Sequence, residues 1–178
     1  AEDAVQNYEF RGITKNGETY WAEIFSKTVN YNGKPADLII TLDITEKKRT
    51  QRELKESETK YRTLFNSASD AILIHDLDAN ILEVNKTAFK RLGYTKEEFL
   101  NFTPGNYISH KFVSLIPERI DELRKKGQAI YESEHITKDG KRIPIEVNLK
   151  LIEYNGQPAI LNFSRDISKK KKAERKLQ

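Results

Sequence analysis

The chain has 178 residues, of which 33% are charged and 37% hydrophobic, and its formal net charge is +4. This composition is typical of a soluble globular protein with exposed helices and excludes an intrinsically disordered chain. Because cysteine is missing from the sequence, disulfide bonds, thiolate catalysis and cysteine-ligated metals are excluded. Apolar runs are too short for a membrane span and no signal-peptide pattern is seen, so a cytoplasmic location is expected.

An internal repeat organises the two ends of the sequence. Residues 8–54 align without a gap on residues 131–177 at an offset of 123, and 20 of these 47 positions are identical. The hexapeptides YNGKPA at residues 31–36 and YNGQPA at residues 154–159 belong to this alignment. A match of this length predicts two copies of one structural unit.

The first copy is predicted to contain three strands joined by tight turns at Asn16-Gly17 and Asn32-Gly33. Asn-Gly favours a two-residue hairpin turn because both of its residues accept positive φ. On the last two strands, alternation predicts an apolar outer sheet face, which we expect a helix or a second chain to cover. The members of that face are Trp21, Phe25, Leu38, Ile40 and Leu42.

Residues 45–68 carry many charges and no glycine or proline, which predicts a long linker helix. Asp43 is expected to be its N-cap, with Glu46 at the capping-box spacing. Seven positions from Ile44 to Phe65 follow a spacing that alternates between three and four residues. Only four of them are apolar, Ile44, Leu54, Tyr61 and Phe65, which predicts a weak coiled-coil seam.

The region between the two copies has no repeat partner. It is predicted to form strands at residues 71–77 and 81–84, then a short helix capped by Asn85 and ended by Gly93. Thr95 and Glu98 have the spacing of a capping box. Residues 102–109 are expected to be a loop. Residues 111–126 are expected to be one helix, with Pro117 in its first turn or at a kink.

The second copy is predicted to contain strands at residues 130–137, 141–154 and 157–167, followed by a basic helix. Apolar residues alternate with polar ones along residues 143–151, which predicts a half-buried strand. Asn155-Gly156 predicts the hairpin turn after it.

The stretch YRTLFNSASDAILIHDLDANILEVNKTAFKRLGYTKEEF resembles the start of a PAS domain. The matching features are strand-terminal Asp76 and Asn85, followed by Gly93-Tyr94, the turn 138–140 and the closing residues 166–168. The resemblance covers residues 61–168 as one domain, and residues 1–45 resemble the last three strands of a sister domain.

This resemblance implies an α+β fold, with a five-stranded antiparallel sheet and helices on one face. The predicted organisation is a partial PAS sheet at residues 1–45, a linker helix at 46–68, a complete PAS domain at 69–168 and the start of the next linker helix at 169–178.

The resemblance also implies a space between the sheet and the helices that can hold a ligand. The candidate pocket residues are His75, Leu82, Val84, Ala88, Leu92, Ile145, Val147, Leu149, Ile160, Asn162 and Ser164. Two readings of Asn162 and Ser164 stay open, because inward polar groups must pair either with a ligand or water, or with each other. His75 likewise contacts a ligand or is a hydrogen-bonded core residue, and His135 can face either way.

No cofactor is expected, although an unknown small-molecule ligand stays open. Light-sensing flavin members of the family need an Asn-Cys-Arg motif, and haem members use a histidine on the long helix; neither feature occurs here.

Carboxylate pairs, catalytic triads and metal clusters are not found at catalytic spacing, so we expect no enzyme activity. The phosphoacceptor motif of histidine kinases is broken after His110. Basic residues cluster at residues 47–52 and 169–176. These runs lack interleaved aromatic residues, which argues against nucleic-acid binding.

The resemblance therefore predicts a sensory and signal-relay module of a larger protein, such as a prokaryotic sensor histidine kinase. The alternative is a ligand-free dimerisation and spacer module. The expected partners are a second copy, bound through the linker helix and the outer sheet face, and a downstream output domain. Asp43 and Asp166 are the candidate relay residues, because each lies where a strand passes into a helix.

Overall fold

The structure is a computed structural model that describes residues 6–177. The chain divides into two compact units, residues 1–61 and residues 62–178. The division falls inside the long helix, not at either of its predicted ends. In the described part of the chain, each unit contains its own antiparallel sheet.

The first unit is built on a three-stranded sheet in the order β1-β2-β3. Its strands are β1 (Gln6–Ile13), β2 (Thr19–Tyr31) and β3 (Lys34–Asp43). Asn32 and Gly33 adopt φ values of 50° and 79°, which are the positive values that a type I′ hairpin turn requires. The register pairs Phe25 with Ile40, so the predicted apolar residues of these two strands do share one face.

Helix α1 (Thr45–Ser67) follows β3 after one residue. The prediction that Asp43 is its N-cap is wrong by position, because Asp43 lies two residues before the helix. Its Oδ1 accepts the N–H of Thr45 at 2.9 Å, an Asx turn that leads the strand into the helix. The hydrogen bonds from Thr45 lower the pKa of Asp43.

The first turn of α1 covers part of the outer face of its own sheet. Ile44 is buried, and Lys48 forms an ion pair with Glu9 while its Nζ lies 5.2 Å from the centre of the Trp21 ring. The backbone N–H of Trp21 donates to Thr45 Oγ1 at 2.9 Å. The predicted cover of this face is therefore, at this end, a helix of the same chain.

The second unit contains a five-stranded antiparallel sheet in the order β5-β4-β8-β7-β6. Its strands are β4 (Ala71–His75), β5 (Ile81–Val84), β6 (Gln128–Ile136), β7 (Arg142–Tyr154) and β8 (Gln157–Asp166). The helices after β5 are α2 (Lys86–Leu92), α3 (Lys96–Leu100), a 3₁₀ turn at Pro104–Asn106, α4 (His110–Val113) and α5 (Ile116–Lys126), while α6 (Ser168–Lys176) follows β8. This is the α+β architecture that the sequence predicts.

Local capping signals explain where the helices begin and end. The side chain of Asn85 accepts the N–H of Ala88 at the start of α2, and Gly93 ends that helix with a φ of 81°. Thr95 and Glu98 form the predicted capping box of α3. The single helix predicted at residues 111–126 is instead two, since Pro117 lies in the first turn of α5, where its missing N–H would have no partner anyway.

The core of the second unit lies between the sheet and helices α2, α3 and α5. Its largest fully buried apolar side chains are Leu73, Leu92, Phe99, Leu123, Ile145 and Ile160. The Phe99 ring packs on that of Tyr107 with ring centres 5.1 Å apart. This packing holds the irregular segment before α4 against α3, and Tyr107 forms one wall of a cavity.

Candidate functional site

A cavity of about 230 Å³ lies between the sheet and the helices of the second unit. It is bounded by the β4–β5 turn, the segment around the 3₁₀ turn, α5 and four strands of the sheet, β4, β6, β7 and β8. Its lining residues are His75, Asp76, Leu77, Asp78, Ala79, Pro104, Tyr107, Ile108, Ile116, Ile120, Tyr131, Leu149, Ile160 and Asn162.

Four of the eleven candidate pocket residues line this cavity: His75, Leu149, Ile160 and Asn162. Six others are buried in the surrounding core without lining it. These are Val84, Ala88, Leu92, Ile145, Val147 and Ser164.

The eleventh candidate, Leu82, was expected to face inward, and this prediction is wrong because its side chain is 45% exposed. The register between β4 and β5 shifts between Ile74 and His75. An irregularity of this kind changes which residues of a strand face the core. Ile81 and Val84 are the buried residues of β5 instead.

Asn162 and Ser164 form a hydrogen-bonded pair on β8. Ser164 is completely buried, and its hydroxyl donates to Asn162 Oδ1 at 3.0 Å. This bond satisfies the serine and fixes the orientation of the amide. Among the described residues, no hydrogen bond to protein engages Asn162 Nδ2, so its donors are available to the cavity that Asn162 lines.

His75 contributes a neutral imidazole to the cavity. Burial lowers the pKa of His75, although the hydrogen bond with the Asp76 carbonyl opposes this change. Nδ1 lies 3.2 Å from that carbonyl oxygen. Because a carbonyl only accepts hydrogen bonds, we assign the proton to Nδ1, which leaves Nε2 as an acceptor.

Two tyrosines of the cavity were not among the candidates. Burial raises the pKa of Tyr131 to about 12 and also raises the pKa of Tyr107. Both phenols are therefore protonated at neutral pH and can donate hydrogen bonds. The Arg119 guanidinium lies over the Tyr131 ring at 5.1 Å.

Partial signals for the missed residues exist in the sequence. Ile116 and Ile120 are four residues apart, the spacing of one helix face. Tyr131 shares a face of β6 with Ser133 and His135, which the structure buries, but alternation alone does not tell which face of that strand meets the core. Tyr107 and Ile108 lie in an irregular segment, where periodicity carries no information.

The arrangement can bind a compact molecule that is mostly apolar. Apolar side chains form more than half of the lining, and none of the lining residues is a lysine or arginine. Asn162, Tyr107 and Tyr131 offer donors, whereas the Asp76 carboxylate is already engaged by Asn80. The volume is below the roughly 300–1,000 Å³ of typical ligand pockets, which restricts the occupant to a small molecule.

The other candidate site is the junction between β8 and α6. Asp166 Oδ1 accepts the N–H of Ser168 at 2.8 Å, and Ile167, not Asp166, is the N-cap of α6. Burial would raise the pKa of Asp166, but the hydrogen bonds from Ser168 and the positive charges of Arg91 and Lys141 lower it overall.

Among residues 6–177, the structure brings together no group of three or more side chains suited to hold a metal ion. Within the same residues, every helix is too short or too polar to cross a membrane.

Comparison with known proteins identifies similar sequences and folds. A family model described as "PAS domain" matches residues 2–46 and 69–169. The chain is 37% identical over 122 residues to the methyl sulfide methyltransferase-associated sensor of Methanosarcina acetivorans, covering 68% of this chain and 12% of that protein. It is 36% identical over 61 residues to sporulation kinase E of Bacillus subtilis, covering 34% of this chain and 8% of that protein.

Among solved structures, the PAS domain of an HTR-like protein from Haloarcula marismortui matches with a TM-score of 0.59 and 26% sequence identity. The match covers 67% of this chain and 99% of that domain.

Proposed function

The chain belongs to the PAS domain family and is a sensory signal-transduction module; from this premise we propose that its second unit binds a small molecule in the cavity. PAS domains are generally sensory, non-catalytic modules, and we extend this to the present chain. The observation that carries the proposal is the oriented amide of Asn162, whose donors have no acceptor among the protein residues that the structure describes.

The lining defines the class of ligand. Without a lysine or arginine in the lining, an anion would lose its hydration with no charge to compensate it. We propose an uncharged, compact molecule whose oxygen or nitrogen acceptor binds Asn162 Nδ2 and a tyrosine hydroxyl. Its apolar part would pack on Leu149 and Ile160.

This proposal can be tested with a library of uncharged compounds of up to about ten heavy atoms, using the melting temperature of the 178-residue chain as the readout. Compounds that stabilise the wild type are expected to bind Asn162→Leu about tenfold more weakly, since one hydrogen bond is lost. Asn148→Leu is the matched control, because Asn148 pairs with Phe163 on the opposite face of the sheet.

Equal binding of the hits by the wild type and Asn162→Leu would contradict the proposal. A library without hits would favour the ligand-free spacer module. One observation supports that alternative: the Ser164–Asn162 hydrogen bond already satisfies the most buried polar side chain of β8.

We further propose that a second copy of the chain is one partner of the first unit. PAS domains in sensor kinases commonly dimerise and connect to output domains. On the outer face of the first sheet, Leu38, Ile40 and Leu42 are each about half exposed in the isolated chain. Leu54 and Tyr61 of the predicted seam on α1 are also exposed, so the same partner can cover both surfaces.

Replacing Ile40 by glutamate is expected to raise the dimer dissociation constant at least about tenfold, because a charge would be buried in an apolar interface. Sedimentation velocity over a concentration series measures this constant. Ile39→Glu is the control, since neighbouring residues of a strand point to opposite faces. A wild type that is monomeric at all concentrations, or equal effects of both variants, would refute the interface.

The remaining expectations stay predictions. Residues 1–45 as the end of a sister domain are supported by the family match over residues 2–46. We keep a cytoplasmic location, a downstream output domain and relay roles for Asp43 and Asp166 as proposals. We also expect neither haem nor flavin to be bound.

A further inference from the structure

The second unit brings the backbone that enters it next to the backbone that leaves it. We define the entry segment as residues 65–70 and the exit segment as residues 164–168. Strand β4 starts directly after the entry segment, and its first residue, Ala71, pairs with Ser164. The two segments are therefore neighbours at one end of the sheet.

Arg91 on α2 bridges these two segments with one guanidinium group. Its Nη1 donates to the Ser164 carbonyl at 2.9 Å, and its Nη2 donates to the Ser69 carbonyl at 2.7 Å. Both bonds are charge-assisted, which makes them stronger than bonds between neutral groups. The charge of Arg91 also helps to lower the pKa of Asp166, so the same residue acts on the start of α6.

A second bridge joins the same segments. Arg165 donates to Asp70 Oδ2 from Nε at 3.1 Å and from Nη2 at 3.0 Å. An isolated exposed pair contributes little to stability, but a planar guanidinium held by two bonds fixes orientation. Together with Arg91, this pair restrains the entry segment against the exit segment at two places.

The entry segment is also fixed to α2, the helix that carries Arg91. Lys86 N–H donates to Asn66 Oδ1 at 2.9 Å, and Thr87 Oγ1 donates to the Ala68 carbonyl at 2.6 Å. These bonds connect the end of α1 and the residue after it to the first turn of α2, the helix that carries Arg91.

We propose that Arg91 and the Asp70–Arg165 pair couple the entry segment to the exit segment directly, without a ligand. None of the residues in these bridges lines the cavity. A displacement that arrives along α1 thus reaches the start of α6 without passing through a residue that lines the cavity. The module can then relay a signal from an upstream element as well as respond to a molecule of its own.

The coupling can be measured by amide hydrogen exchange on the ligand-free 178-residue chain. Asn66→Ala perturbs the entry segment by removing the acceptor for Lys86 N–H. The readout is the exchange rate of Ile167 and Lys171, whose N–H groups donate to Pro144 and Ile167 carbonyls, relative to the slowest amides of β7. We expect Asn66→Ala to accelerate this exchange about threefold relative to the wild type. In the Arg91→Gln background, adding Asn66→Ala should accelerate it less than about 1.5-fold relative to Arg91→Gln alone.

Two controls separate coupling from general loosening. Lys90→Gln removes the neighbouring, exposed charge of α2 and must preserve the response to Asn66→Ala. Asp70→Arg and Arg165→Asp must each weaken the response, and the double variant with the charges exchanged must restore it. An undiminished response in the Arg91→Gln background, no response in the wild type, or no restoration by the charge exchange would overturn the proposal.

Discussion

Replacing Asn85 by alanine is expected to destabilise the second unit by about 4 kcal/mol, because each buried polar group that is left without a hydrogen-bond partner costs about 1–3 kcal/mol. Asn85 is completely buried. Its Oδ1 accepts the N–H groups of Ile72 and Ala88 at 3.0 Å each. Its Nδ2 donates to the carbonyls of Phe65 at 3.1 Å and Asp70 at 3.0 Å. One amide thus joins the end of α1, the start of β4 and the first turn of α2.

Asn85→Asp separates the two halves of this role. The aspartate keeps both acceptor functions, including the helix cap, but it turns a second oxygen toward the two carbonyls. We expect it to be at least as destabilising as Asn85→Ala at neutral pH, since a buried carboxylate would face acceptors only.

The free energies come from hydrogen exchange of the slowest amides of β7, because the lone tryptophan, Trp21, lies in the first unit and does not report on this one. Asn101→Ala is the control, because Asn101 is exposed and its side chain donates a hydrogen bond to the Glu97 carbonyl. This substitution should lower the free energy of unfolding by less than about 0.5 kcal/mol. A near-neutral Asn85→Asp would show that only the cap matters.

The sequence predicts those features that depend only on residues close together in the chain. The hairpin at Asn155-Gly156 requires positive φ at both residues, and the structure has values of 52° and 74° there. The cap of Asn85 and the capping box at Thr95 depend on contacts within three residues. The order of strands and helices followed from these local signals together with the resemblance to the PAS family.

Features that depend on distant residues could not be predicted. The inward position assigned to Leu82 assumed regular alternation along β5. The pairing with β4 passes from Ile74–Glu83 to His75–Ile81, so Leu82 is an extra residue in its own strand and the alternation breaks there. The wall formed by Tyr107 belongs to a segment whose position depends on packing against Phe99. Arg91 reaches a carbonyl 73 residues later in the chain, and nothing near it in sequence indicates this contact.

The orientation of His135 also depends on which face of β6 meets the core. The structure answers this question: His135 is 3% exposed, and its ring meets the Tyr107 ring edge-on with centres 5.2 Å apart. Burial, and to a lesser degree the positive charge of Arg91, lowers the pKa of His135 from 6.5 to about 3. The native state therefore holds this imidazole neutral.

Lowering the pH from 7 to 5 is accordingly expected to destabilise the second unit by about 2 kcal/mol through His135. The free energy of unfolding falls by about 1.36 kcal/mol for each unit of pH between 6.5 and 5. Between pH 6.5 and 3 the unfolded chain binds a proton at His135 that the native state does not. The stabilisation is thus complete above pH 6.5 and is lost as the pH falls. Carboxylates with lowered pKa values, such as Asp76, lose their contribution only below about pH 4.5, outside this interval.

The measurement is the free energy of unfolding of the second unit at pH 7 and pH 5 for the wild type and His135→Gln. The variant can be less stable at both pH values because its packing changes, so the quantity compared is the difference between the two pH values. We expect that difference to fall by about 2 kcal/mol in His135→Gln. It should be unchanged in His110→Gln, where the histidine is exposed.

Burial also lowers the pKa of His75, so a smaller loss of unfolding free energy between pH 7 and pH 5 should persist in His135→Gln. This loss should disappear when His75→Gln is added. A pH dependence that survives His135→Gln at full size would show that the buried imidazole is not the group that destabilises the fold in acid.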